Sequence, residues 1–319
     1  MTILGGIRMD NWKRRSALLT MALITVVAMI AAACGGSGSS SSSSGGSSSA
    51  ADTGAIPAVQ KDDAIAAMVP ADIASKGSLT VATDATYPPA ELFAEDGQTI
   101  EGMDIDLGTA IGEVMGVKWN FVNAGFDTII PGIQAKKYDV GMSAFTDTKE
   151  REKVIDFITY FTAGTSFMTS ADGGPTINSI EDVCGLTVAY EKGSTSAEAA
   201  IAQGKKCVAA GKQDVKAVAF PDQNAVNLAV ASKQADFAMA DTPTLEWIAL
   251  KSDGKLKVVG TSFDDAPYGI AVPKDGGLAQ PTLEAIKKLM ADGTYAAILK
   301  KWGVESGAIT DPGINKAIF

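Results

Sequence analysis

The chain has 319 residues, 27 basic side chains against 37 acidic ones, a net charge of −10 and no histidine. Its acidity argues against nucleic acid or anionic lipid as a partner. The missing histidine removes Ser–His and Cys–His nucleophilic catalysis and every histidine-ligated metal site, so binding without metal or cofactor is the first expectation.

At the N-terminus, Lys13, Arg14 and Arg15 precede an apolar run from Ala17 to Ala33. A cationic start, a short apolar stretch and small residues before a cleavage point describe a secretory signal over residues 1–33. Ala31, Ala32 and Ala33 stand directly before Cys34 and resemble the lipobox of bacterial lipoproteins. That resemblance implies cleavage, a diacylated (palmitate-type) Cys34 as the new N-terminus, and anchoring to the outer face of the cytoplasmic membrane. An uncleaved membrane anchor is the alternative, since the run approaches the roughly 20 residues that span a bilayer. Residues 34–54 are Ser/Gly-rich, with no apolar side chain from Gly35 to Ser49. Such a segment buries no core and acts as a flexible tether reaching roughly 25 Å. Residues 55–77 read as a mixed lead-in. Removing residues 1–33 takes away four basic residues and Asp10, so the net charge moves from −10 to −13.

From Ser78 onward, short β-rich runs alternate with amphipathic stretches. Strands are expected at Leu79–Thr83, Val117–Val122, Tyr138–Ser143, Leu186–Tyr190, Val215–Phe220, Phe237–Ala240 and Leu256–Val259. Helices are expected at 104–115, 126–137, 195–203, 222–233, 243–251 and 279–301, the last with Leu283, Ile286, Met290 and Ile298 on one face. Alternation of this kind gives parallel sheets covered by helices, an α/β fold. An internal echo points to two lobes of similar plan. Ser78–Thr83 recurs as Gly185–Tyr190, and Lys137–Ala144 recurs as Gln234–Asp241. Segments near 163–169 and 267–272 would cross between the lobes. Cys184 and Cys207 would form a disulfide in an oxidising compartment, two buried thiols being the alternative.

Beyond residue 33 the chain keeps one arginine, Arg151, and uses lysine for every other positive charge. A guanidinium grips a carboxylate with a planar fork that lysine lacks. Ligands in open parallel sheets bind at the carboxyl ends of strands, and the residues of interest share that address. Asp84 follows the first strand, Arg151 the third, Gly193-Ser194-Thr195 the fourth and Asp241 the sixth. Thr195 and Ser196 read as a helix N-cap, whose free N–H groups favour an anion. A guanidinium, a helix start and a carboxylate facing one cleft suit a zwitterion. Arg151 and the Thr195 terminus would take its carboxylate, and Asp241 its ammonium. A surface arginine, an ordinary helix cap at Asp241 and a plain turn at Gly193-Ser194-Thr195 are the competing readings.

An ordered series of motifs carries a resemblance over about Ser78 to Val304. It runs through Thr83-Asp84-Ala85-Thr86-Tyr87-Pro88-Pro89, Gly102-Met103-Asp104-Ile105-Asp106-Leu107 and Phe126-Asp127-Thr128-Ile129-Ile130-Pro131-Gly132-Ile133. Thr146-Asp147-Thr148-Lys149-Glu150-Arg151, Gly193-Ser194-Thr195 and Ala235-Asp236-Phe237-Ala238-Met239-Ala240-Asp241 complete it. The chain resembles the polar amino-acid-binding proteins of ABC importers, family 3 of the bacterial solute-binding proteins. The resemblance implies a two-lobed periplasmic-binding-protein type II fold that closes on its ligand and delivers it to permease subunits. The lobes would comprise residues 78–166 with 268–319, and residues 167–267, in a monomer. By motif position, Arg151 would hold the ligand carboxylate with the backbone around Thr146 and Thr195. Asp241 would take the ammonium, Tyr87 and Phe126 would shape the side-chain pocket, and Asp84 would meet a polar or cationic side chain. The chain departs from the family pattern at Ala90, where an aromatic often follows Tyr-Pro-Pro, which opens space in lobe one. Two rivals are a dehydratase of prephenate-like acids, with Glu91, Asp84 or Lys192 as proton donor, and a sensor ectodomain.

Overall fold

A computed structural model describes residues 56–319. The signal segment 1–33, Cys34 and the tether 34–54 lie outside the described residues. The lead-in forms two short helices, α1 (Asp63–Ala66) and α2 (Ala71–Lys76). Asp62 caps the first by accepting from the Ala64 and Ile65 N–H groups at 3.0 and 3.2 Å, which satisfies donors that a helix start leaves open.

Strand β1 (Ser78–Thr83) follows, with Leu79 and Val81 fully buried. Three short strands come next: β2 (Thr86–Tyr87), β3 (Glu91–Phe93) and β4 (Ile100–Glu101). They form a small antiparallel sheet. The chain then alternates through α3 (Met103–Met115), β5 (Lys118–Asn123), α4 (Phe126–Gln134) and β6 (Val140–Gly141). Both β5 and β6 lie parallel to β1. After the long strand β7 (Asp156–Ser170), the same plan repeats. It comprises β8 (Thr187–Glu191), α5 (Thr195–Ala209), β9 (Lys216–Phe220), α6 (Gln223–Ala231), β10 (Phe237–Asp241) and α7 (Thr242–Lys251). Here β9 and β10 flank β8 in parallel. The second long strand, β11 (Leu256–Val272), leads to α8 (Ala279–Ala291) and α9 (Thr294–Trp302).

The sheet order is β5-β1-β6-β11-β7-β10-β8-β9. The echo in the sequence therefore has a structural counterpart: β1 and β8 are the central strands of two parallel trios, and β6 and β10 are their inner neighbours. Between the trios, β7 and β11 pair antiparallel from Leu256↔Ser170 to Val272↔Asp156. The register shifts between Val259 and Phe263, between Phe263 and Ala266, and between Tyr268 and Gly269. Bulges increase local twist, so the pair bends where it passes from one lobe to the other. Gly164 stands at that bend. A Cβ there would lie 2.2 Å from Asp265 Oδ1 and 2.3 Å from Ser262 Oγ.

Packing follows the period of each helix. On α3, Leu107, Ile111 and Val114 are completely buried in the core they share with Ile286 and Leu289 of α8. On the other sheet face, α4 sets Ile129 and Ile133 against Ala82, Phe157 and Ala271. In the second lobe, Ala200 and Cys207 of α5 cover Val188 and Phe237. Fully burying one such aliphatic side chain stabilises by about 1.5–3 kcal/mol. Cys207 is bonded to Cys184, with Cα atoms 5.6 Å apart.

Several elements differ from the sequence expectation. The strand expected at Tyr138–Ser143 shrinks to Val140–Gly141, because the chain leaves the sheet before Ala144, whose φ is 45°. The strand expected at Leu256–Val259 continues to Val272, and β7 spans fifteen residues. The single helix expected at 279–301 is two, broken at Gly293, whose φ of 84° lies in the left-handed region. The α5 cap is Ser194, whose hydroxyl accepts from Ala197 N–H at 3.3 Å, and not Thr195 or Ser196.

Candidate functional site: a cleft between the two lobes

The carboxyl ends of β1, β6, β8 and β10 converge on one cavity, lined by Tyr87, Phe126, Thr146, Arg151, Thr195 and Asp241 together with Ser143, Ala144, Glu191 and Ser194. It encloses about 20 Å³ and adjoins a cavity of about 320 Å³ that shares Thr146, Thr195 and Asp241 with it. Six of the seven residues singled out from sequence are thus brought together. The seventh, Asp84, stands behind the wall. Its Oδ2 accepts from Phe126 N–H at 2.9 Å, and its Oδ1 accepts from the Thr86 hydroxyl at 2.7 Å. Phe126 is the first residue of α4, where a carboxylate meets the positive end of the helix dipole.

Arg151 lies in a 3₁₀ turn (Arg151–Lys153) and is half-buried. Its Nη1–H donates to Thr146 O at 2.7 Å and its Nη2–H to Gly193 O at 2.9 Å, one carbonyl on each side of the cleft. The guanidinium carbon sits 5.5 Å from the Phe126 ring centre and 5.6 Å from that of Phe145. These two rings stack at 4.5 Å. The aromatic pair thus fixes the guanidinium from the side while leaving its edge toward the cavity. Burial pushes its pKa down, with Glu198, Asp241 and Asp147 opposing. The Thr146 and Thr195 hydroxyls face each other across the cleft at 3.3 Å.

Asp241 ends β10 and precedes α7, but its side chain does not cap that helix. The Tyr268 hydroxyl donates to Asp241 Oδ2 at 2.6 Å, and Asp241 N–H donates to Tyr87 Oη at 2.9 Å. Burial raises the Asp241 pKa to about 6, held back by Tyr268, Tyr87 and Arg151. Tyr87 therefore spans the lobes and positions Asp241 as well as walling the pocket.

Beneath the lobe-one wall, Glu91 and Asp104 are both completely buried. Ser143 donates its hydroxyl to Glu91 Oε1 at 2.9 Å, and Asp104 accepts from Tyr160 at 2.8 Å and from Ala144 N–H at 2.9 Å. Burial and the neighbouring carboxylate push Glu91 well up, and burial raises Asp104 to about 6. The pair fixes the loop that carries Ser143 and Ala144 into the cavity. As a proton donor to a substrate Glu91 is misplaced, since it does not line the cavity. Lys192 is held at the rim by Asp127 at 2.7 Å. Among the described residues no cluster of three or more metal-ligating side chains occurs.

Residues 79–305 match the bacterial extracellular solute-binding proteins, family 3. The chain belongs to this family. It is 34% identical over 254 residues to the arginine-binding protein ArgT of Corynebacterium glutamicum, covering 79% of this chain and 83% of that one. It is 33% identical over 230 residues to an L-arginine-binding protein of Pseudomonas aeruginosa, covering 70% and 86%. A solved structure of an ancestral arginine-binding protein bound to arginine superposes with a TM-score of 0.65 at 36% identity, covering 71% of this chain and 98% of that one. This family member is thus an extracellular solute-binding protein of the amino-acid class that serves ABC importers, with the two-lobed type II fold its motifs imply. The relatives are amino-acid-binding proteins, and they support the dehydratase reading less than the transport one. Among the described residues no helix is long and apolar enough to cross a membrane.

Glu191 escaped the motif reading. It closes β8, is 3% exposed, and lines the cavity. The echo could have found it, because Glu191 follows Gly185–Tyr190 as Asp84 follows Ser78–Thr83.

Proposed function

We propose that the protein captures a free α-amino acid with a polar or cationic side chain, arginine first among them, and hands it to the permease subunits of an ABC importer. The observation that carries this reading is the placement of Arg151 and Asp241 in the wall of one cavity. Arg151 takes the ligand carboxylate, aided by Thr146 and by the α5 terminus at Thr195. Asp241 takes the ammonium, Tyr87 and Phe126 flank the side chain, and Asp84, behind the wall, holds the N–H of Phe126 in place. The arginine named in the relatives' descriptions supports the choice of ligand. Lobe one is residues 78–166 with 268–319 and lobe two is 167–267, boundaries that fall within the crossing pair β7 and β11.

The same reading makes residues 1–33 a cleaved signal, Cys34 a diacylated first residue, and residues 34–54 a tether for a monomer on the outer membrane face. Mass spectrometry of the membrane fraction tests it; an unmodified Cys34 still joined to residues 1–33 would refute the anchor.

Titration calorimetry with arginine tests the site. In a dry cleft, Arg151→Ala leaves the ligand carboxylate buried and unpaired. Losing one partner of such a pair costs about 2–5 kcal/mol, or roughly 30- to 4000-fold in affinity. Binding within threefold of the parent would show that Arg151 is not the clamp.

A further inference from the structure

The turn that carries Arg151 is held from outside the cleft. Residues 314–319 run back along lobe one, where Ile314 bridges to Ile158 of β7 and Asn315 N–H donates to Phe157 O at 2.9 Å. The residues after Asn315 are bonded to the turn itself. Lys316 N–H donates to Asp147 Oδ2 at 2.7 Å, and Ala317 N–H to Glu152 Oε1 at 3.0 Å. Lys149 N–H donates in return to Phe319 O at 2.9 Å. All of these bonds go to lobe one, and their partners lie on both sides of Arg151 in the chain.

This arm brings Phe319 to the mouth of the site. Phe319 lines the cavity of about 320 Å³, together with Ala199 and Ala202 of α5 on the lobe-two side. That cavity shares Thr146, Thr195 and Asp241 with the inner one, whereas Tyr87 and Phe126 line the inner one alone. It therefore opens beyond the carboxylate and ammonium of a bound amino acid, away from the groups that flank the ligand side chain. Phe319 is the one aromatic residue among those that line it.

We propose that Phe319 is a further ligand-site residue: residues 314–319 strap it to the Arg151 turn, and its ring covers the zwitterion end of a bound amino acid against α5. This rests on the assignment of Arg151 and Asp241 to the two ends of the zwitterion. Because the arm is bonded to lobe one, ring and guanidinium move together, and α5 is what they meet when the lobes close. A charge-assisted bond gains strength as water is excluded from it, and an exposed one is screened by salt. The ring makes no polar bond of its own. It keeps the contact between Arg151 and the ligand carboxylate dry, and so slows release of an amino acid whatever its side chain.

Stopped-flow kinetics and calorimetry with L-arginine and with L-citrulline, its neutral isostere, test the cover. Phe319→Ala should speed dissociation of both ligands roughly 10-fold, the scale of one weakened charge-assisted bond. Added salt should weaken citrulline binding more in this variant than in the parent, because the wetted pair is screened. Phe319→Tyr keeps the ring and should restore the parent's rates, which separates the cover from damage to the fold. Ala317→Pro keeps Phe319 but removes the N–H that Glu152 accepts, so it should release both ligands as fast as Phe319→Ala. Dissociation within twofold of the parent in Phe319→Ala, acceleration confined to one ligand, or an unchanged response to salt would overturn the proposal. Parent-like release from Ala317→Pro would show that the strap does not hold the ring. If Arg151→Ala leaves arginine binding intact, it is the zwitterion clamp that fails, and the ring has nothing to cover.

Discussion

The two ends of the cleft are finished differently. At the zwitterion end, Arg151 already donates to Thr146 O and Gly193 O, and Asp241 already accepts from Tyr268. At the end of β8, Glu191 Oε1 is left without a partner. The contrast shows how one site can divide its work. The two groups proposed to meet features common to every amino acid already have partners in the fold, whereas Glu191 brings an unpartnered acceptor to the wall of the same cavity.

The largest test of this division is Asp241→Asn. It should weaken arginine and citrulline alike by about 2–4 kcal/mol in calorimetry, because both carry the same ammonium. A loss confined to arginine would erase the distinction between the two ends. Arg151→Lys comes next. An ammonium keeps the charge but loses the bidentate fork, so both ligands should weaken by about 1–2 kcal/mol.

How much of this was legible in the sequence depended on how local the signal was. Arg151 stood out because no other arginine follows the signal segment, and Asp241 and Asp84 because each follows a β-rich run. The echo marked the position of Glu191, but its burial and its unpartnered Oε1 are not local properties and were not legible in the sequence. The long crossing strands were also obscured. In β11 the register shifts between Val259 and Ala266 interrupt the alternation that marks a strand. The break at Gly293 hid inside an apolar pattern that continues in phase through both helices.

A pH series sharpens the comparison further. Asp241, Asp104 and Asp147 are raised mainly by burial, to about 6, 6 and 7. For a carboxylate raised in the folded state, the stability it contributes is complete below its unfolded pKa and is lost as pH rises through the folded value. The melting temperature of the ligand-free protein should therefore rise as pH falls from 8 to about 5.5. Affinity should move the other way, falling toward tenfold per unit below about 6 as Asp241 loses the charge that holds the ammonium. Parallel movement of the two would show that Asp241 is not the ammonium partner.

The smallest effect on affinity is expected from the Cys184–Cys207 pair, which lies in the second core away from the cavity. Replacing both cysteines by serine should lower unfolding free energy by about 3 kcal/mol, from the size of the loop the bond closes, and leave arginine affinity within twofold. Chemical denaturation and calorimetry read the two effects separately.

The carbonyls of Thr146 and Gly193 have a consequence for traffic. The fold itself gives the guanidinium two acceptors, so a ligand carboxylate arrives as a competitor. The gain is the difference between a charged and a neutral acceptor, about 1 kcal/mol per bond, well short of the worth of a bond made from nothing. On departure the Thr146 carbonyl, on the guanidinium's own side of the cleft, takes a donor back, and the Gly193 carbonyl takes the other when the lobes meet. A carrier that must load from dilute solution and later release its cargo is served by that exchange of one acceptor for another.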